Sequence, residues 1–185
     1  MHIDDLKKLA DGHPLKYYTS PNSPQLQAVF GGLFGSYQVT MTVQSEGDFL
    51  QFRTQAYLTC PPDHPWLKEV FRTMVHMNCQ KRMTKFGWDP SDGEIMAFAD
   101  VWVMDGALTQ KQFDRIVGGL IPAIDVGFAR LGKIMATGED PQDEGVMLAA
   151  SGAGSGMMTS IADKIQDLLR KGKPGETKPA RITEI

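Results

Sequence analysis

Two cysteines in 185 residues leave no disulfide framework, and a reducing compartment follows as the default. Long apolar runs are missing as well: none approaches the ~20 residues of a membrane-crossing helix. Residues 1–9 carry Asp4 and Asp5 early and have no apolar centre, so they do not read as a secretory leader. Charge of one sign is scarce. A net charge of −3 provides neither a basic surface for nucleic acid nor an excess of cations for an anionic membrane. These absences define an expectation: a cytoplasmic protein with no nucleic-acid and no membrane partner. What is present, 42% hydrophobic and 22% charged residues, is the composition of a folded domain rather than a disordered chain. The length allows one domain with a real core and a tail.

Catalytic chemistry is missing too. Cys60, His64, His76 and Cys79 are zinc-type residues. However, His64 opens a predicted helix and His76 lies over three turns along it, roughly 18 Å away and beyond one metal's reach. The same separation argues against a Cys60–Cys79 disulfide. Residues 151–156, Ser-Gly-Ala-Gly-Ser-Gly, precede a helix as a phosphate loop does. They lack its Lys-Ser/Thr pair, and too little chain follows for a dinucleotide fold. Asp89, Asp92 and Glu94 fit turn chemistry and not a calcium loop. No nucleophile paired with a base is visible. The expectation is a protein that is not an enzyme, with no metal and no cofactor.

The chain is organised around residues 84–135, which read as strand, tight turn, strand, short loop and long amphipathic helix. Asp92-Gly93 suits a turn that needs a positive φ. On the second strand Ile95, Ala97, Ala99, Val101 and Val103 make one face; Met96, Phe98, Asp100, Trp102 and Met104 make the other. Both faces are mostly apolar, which predicts a central strand covered on both sides. Thr109 and Gln112 have capping-box spacing. Behind them Phe113, Ile116, Val117, Leu120, Ile121, Ile124, Phe128 and Leu131 form one stripe. Pro122 removes the hydrogen bond to the Gly118 carbonyl and predicts a kink.

Upstream, residues 3–10 predict a short helix, 13–25 a surface loop with Pro14, Pro21 and Pro24, and 26–35 an edge strand. Residues 36–45 alternate Tyr37, Val39, Met41 and Val43 with Gln38, Thr40, Thr42 and Gln44, a strand with one wet face. Glu46-Gly47 predicts a two-residue turn into a second strand, 50–59. A helix from about Pro65 to Met83 buries Leu67, Val70, Phe71 and Met74.

Downstream of residue 137 the character changes. The segment 138–156 reads as a flexible acidic and Gly-rich linker. Residues 157–171 follow as an amphipathic helix with Ile161, Ile165, Leu168 and Leu169 on one side, a candidate docking stripe too weak to stand alone in water. The polar, charged residues 172–185 read as a disordered tail. Candidate partner-binding residues in the main domain, 1–137, are Trp88, Phe98, Asp100 and Trp102. The aromatics offer an apolar patch, and a carboxylate in mid-strand needs a partner if it is buried.

From the helix before the hairpin into the long helix, the sequence resembles the YbjN family, the bacterial sensory transduction regulators. The residues that carry the likeness are Asn78, then Lys85-Phe86-Gly87-Trp88-Asp89, Asp92-Gly93-Glu94-Ile95, Ala99-Asp100-Val101 and Leu108-Thr109-Gln110-Lys111-Gln112-Phe113. The resemblance spans residues 26–135. It implies an α+β fold like that of type III secretion chaperones: a curved antiparallel sheet of about five strands with helices packed on it. Proteins of that fold commonly dimerise and bind segments of other proteins, which makes a homodimer and an unknown protein or peptide partner the expectation. No catalytic residue comes with the family. The leading expectation is thus a non-enzymatic, chaperone-like adaptor or regulator. The alternative is a small-ligand-binding domain or enzyme with a pocket between the sheet and the kinked helix, using Asp100.

Overall fold

Alternating apolar residues build one antiparallel sheet, and a computed structural model shows its strands in the order β1-β2-β3-β4-β7-β5, with β6 on the other side of β7. The structure describes residues 1–151 except 14, 20–22 and 105, and of residues 149–151 the backbone alone. The expected docking helix 157–171, the tail 172–185 and the Gly-rich end of the expected linker lie outside the described residues. The strands are β1 (Tyr17–Thr19), β2 (Gln25–Gly31), β3 (Ser36–Gln44), β4 (Phe49–Gln55), β5 (Leu58–Thr59), β6 (Lys85–Trp88) and β7 (Glu94–Trp102). The helices are α1 (Ile3–Gly12), α2 (Leu67–Gln80), α3 (Gln110–Thr137) and α4 (Gln142–Ser151). Helices α1, α2 and α4 each contact α3, while α2 also meets β6 and α3 meets β7. All the described helices therefore lie on one side of the sheet. The core between the layers includes Leu26, Val39, Met41, Phe52, Ile95, Ala97, Phe113, Leu120 and Leu131.

The α+β class and the central hairpin are as expected, and several details differ. Seven strands replace about five, because β1 and β5 are too short to show an alternation. Strand β2 is not an edge: β1, inside the expected 13–25 loop, flanks it. The β3–β4 connection is a turn over Ser45–Gly47 and Asp48 rather than two residues, with Ser45 and Glu46 at φ +50° and +59°. Ala56, at φ +48°, breaks the expected 50–59 strand. Past this break Tyr57, not Ala56, turns inward, and its hydroxyl donates to the Ile124 carbonyl. Strand β7 is central, but its second face is open: Asp100 and Trp102 are exposed. At the β6–β7 turn Gly93 has φ +76°, and a Cβ there would lie 2.6 Å from the Cys60 carbonyl oxygen. Helix α3 carries the expected Thr109–Gln112 capping box and runs through Pro122 as one element.

Two buried charges on α3 fix its neighbours, and neither stands out in the sequence. The Asp125 carboxylate accepts the N–H groups of Leu33 (2.7 Å) and Phe34 (2.9 Å) and the Tyr37 hydroxyl (2.6 Å), which ties the β2–β3 turn to α3. Gly32 permits this approach, since a Cβ there would sit 2.2 Å from an Asp125 oxygen. Burial first, and then the Asp125 carboxylate, push the Tyr37 hydroxyl well above its ordinary range and keep it a donor.

Arg130, 1% exposed, makes a two-point contact with Asp140 (2.7 Å each) and reaches Asp143 (2.8 Å) and Gln142 (3.0 Å). Lys81 and Thr73 of the α2 region complete the cluster at Asp143 and Asp140. Within the segment expected as a linker, residues 140–151 are therefore anchored and residues 142–151 are helical. Helix formation there was hidden by acids whose partner, Arg130, is supplied by another element.

The Arg130 guanidinium holds the Asp140 carboxyl at about 2, below its ordinary 3.8. Burial raises Asp143, but Lys81 and Arg130 bring it below its ordinary value. A carboxyl held down in the folded state stabilises it fully above the unfolded value and loses that contribution as pH falls through the folded one. Acid titration of stability should therefore show a loss of about 2 kcal/mol from Asp140 between pH ~4 and ~2, absent in Asp140→Asn. Asp125→Ala strands two N–H groups and a hydroxyl and should cost about 2–4 kcal/mol in chemical denaturation.

Candidate functional site

Register decides which side chains share the uncovered face of the sheet. Cross-strand partners point the same way, so the pairs Phe49–Trp102, Gln51–Asp100, Arg53–Phe98 and Phe98–Lys85 place these side chains together, away from α3. Three of the four candidates from the sequence, Phe98, Asp100 and Trp102, are thus neighbours on one face. The fourth, Trp88, pairs with Ile95 and turns to the helix side. There its ring meets Phe71 edge-on at 4.9 Å and its indole N–H donates to the Cys60 carbonyl at 2.8 Å.

Trp102 is 67% exposed and lies against Phe49, ring centroids 5.0 Å apart. Phe49 is half-buried, so Trp102 presents most of the apolar surface of this pair. Asp100 is exposed and accepts from the Gln51 amide at 3.0 Å, so its partner is a side-chain amide rather than an arginine or a backbone group. Beside it Arg53 donates to Glu94 at 3.1 Å, and Glu94 also accepts the Ala56 N–H at 3.2 Å.

Asn78, one of the residues that carry the family resemblance, lies near the end of α2. From α2 its amide donates to the Phe86 carbonyl (3.0 Å) and accepts the Phe86 N–H (2.7 Å), imitating a neighbouring strand on the outer side of β6. Lys85 then caps the end of α2 through the Asn78 and Lys81 carbonyls, at 2.7 and 2.6 Å. This edge is closed by the chain itself.

Of the zinc-type residues, Cys60 is buried, with its thiol pushed up by burial, and Cys79 is exposed. Among the described residues no group of three or more His, Cys, Asp or Glu is placed to hold a metal. No helix of the described residues is long and apolar enough to cross a membrane.

An antiparallel sheet with helices on one face and an aromatic surface on the other defines an α+β protein of the open-faced class. Within that class the chain belongs to the YbjN family, whose model, described as "Putative bacterial sensory transduction regulator", matches residues 2–132. Among solved structures it is similar to YbjN from E. coli, with a TM-score of 0.53 and 16% identity, over 69% of this chain and 89% of that one. It also matches the HopA1-SchA chaperone-effector complex, with a TM-score of 0.47 and 10% identity, over 67% of this chain and 94% of that one. No curated protein matches the sequence.

Because Trp102 contributes surface and little core, Trp102→Ala should change unfolding free energy by no more than about 1 kcal/mol, the worth of its contact with Phe49. Denaturant titration of the variant measures this.

Proposed function

We propose that this protein is a non-enzymatic, chaperone-like adaptor or regulator that binds another polypeptide on the open face of its sheet. The observation that carries this reading is the exposed Trp102 lying against the half-buried Phe49, beside Phe98 and Asp100, on the face that no described helix covers. Membership of a family described as regulators fits a binding role. The resemblance-based expectations of a homodimer and of a cytoplasmic setting belong to the same proposal. So does a docking role for Ile161, Ile165, Leu168 and Leu169.

Against the alternative, a ligand pocket between sheet and α3, stand aromatic contacts among the described residues of that interior. Phe52 and Phe113, Tyr37 and Phe128, and Tyr57 and Phe128 meet there with centroids 5.6–5.8 Å apart. A depression of about 450 Å³ lies instead on the outer side of α3, lined by Lys111, Asp114, Arg115, Gly118 and Gly119.

Pull-down from native cytosol tests the reading with three proteins: the full chain, Trp102→Asp, and a chain ending at Ser151. Ending the chain at Thr137 would instead remove Asp140 and Asp143 and leave Arg130 buried without its anions. Partners captured by the full chain should be lost with Trp102→Asp and kept with a control change at the exposed Val75 of α2. Partners lost only on truncation assign binding to the C-terminal segment. Turnover of a small molecule by pure protein, abolished by one side-chain change, would replace the proposal with an enzyme.

A further inference from the structure

The charges that the strands bring to the open face sum to zero. Four charged side chains project onto it from the strands, Arg53, Lys85, Glu94 and Asp100, and each is already held. Arg53 and Glu94 pair with each other, Asp100 takes the Gln51 amide, and Lys85 is turned onto two carbonyls of α2. The rest of the strand surface is mostly amide, hydroxyl and ring, with the 60% exposed Val29 and the half-buried Met96 among them. Gln25, Gln27, Gln38, Gln44, Gln51 and Gln55 stand on it by register, with Thr40 and Thr42 between them and the 73% exposed Tyr18 at the far edge. A partner rich in charge of one sign would have to desolvate its ions against a face with no net counter-charge, which disfavours it.

The backbone adds a second, separate feature beside the aromatic pair. The Ala97 N–H points toward β4, where it donates to the Thr54 hydroxyl at 2.9 Å. Successive residues of a strand direct their N–H and C=O groups to opposite sides. The groups of Asp100 and Trp102 therefore point away from β4. On that side β6 reaches only to Lys85, opposite Phe98. Among the described residues no strand lies against this end of β7, whereas Asn78 closes the neighbouring edge of β6.

We infer that the occupant of this face is an uncharged, extended polypeptide segment, added as a strand along the Asp100–Trp102 end of β7 with an apolar anchor on Phe49 and Trp102. The inference rests on the open-face reading above and names its partner class. Peptide amides of the added segment take the free N–H and C=O groups of β7, and its neutral polar side chains meet the glutamine rows. A neutral oligosaccharide would also suit amides and rings, but it would have no strand to continue the ladder.

Selection of a random peptide library against the full chain tests this. Enriched peptides should have a net charge near zero, bind with a Kd that changes less than about twofold between about 50 and 500 mM salt, and weaken roughly tenfold or more with Trp102→Ala, as for an anchor residue. Asp100→Pro, which removes the Asp100 N–H at this end of β7, should weaken them similarly, whereas Asp100→Asn should not. Peptides that depend on Trp102 but are highly charged and salt-sensitive would overturn the inference and leave the open-face reading standing. Peptides indifferent to Trp102→Ala, or no enrichment at all, would remove that reading and the inference with it. Quenching of Trp102 fluorescence by cellohexaose in place of any peptide would assign the face to glycans and overturn both.

Discussion

One layer of helices covers one face of one sheet, and the described chain has no second layer. Helix α3 is touched by α1, α2 and α4 alike, so it ties the helix layer together, while α2 also packs directly on β6. Its apolar stripe supplies the largest share of the core, including Phe113, Ile116, Leu120, Ile124 and Leu131. Burial of such side chains contributes about 1.5–3 kcal/mol each. A stripe attracts without direction, however, and does not by itself choose an angle or a height along the sheet.

Direction comes from the two charges buried on α3. Asp125 takes two backbone N–H groups and the Tyr37 hydroxyl from the β2–β3 hairpin, and Arg130 gathers Asp140, Gln142 and Asp143 into a turn that starts α4. Either group alone in the core would cost several kcal/mol. Fully partnered, they make one placement of hairpin, α2 and α4 far better than its neighbours. Asn78 works in the same way at the sheet edge, where its amide ends the ladder that Phe86 would otherwise offer to another chain.

With the helix side so determined, the other side of the sheet is covered by none of the described helices. It carries charges that sum to zero, glutamine rows, an exposed Trp102 against a half-buried Phe49, and a strand end that no described strand flanks.

Much of this was legible in the residues alone. The alternation over 36–45 and 94–102, the Asp92-Gly93 turn, the Thr109–Gln112 cap and the long stripe of α3 are local signals, because a residue's neighbours at spacings of two, three or four decide them. The same locality grouped Phe98, Asp100 and Trp102 on one face. It could not show that Trp88 lies on the other side, since that depends on its pairing with Ile95. Nor could it show that no described helix covers the second face of β7, since an apolar strand reads alike whether its cover is a helix or water. The strand break at Ala56, the anchored segment 140–151 and the roles of Asp125, Arg130 and Asn78 were all decided by tertiary structure. Each is a contact between residues far apart in the chain, and no spacing rule reaches across such a separation.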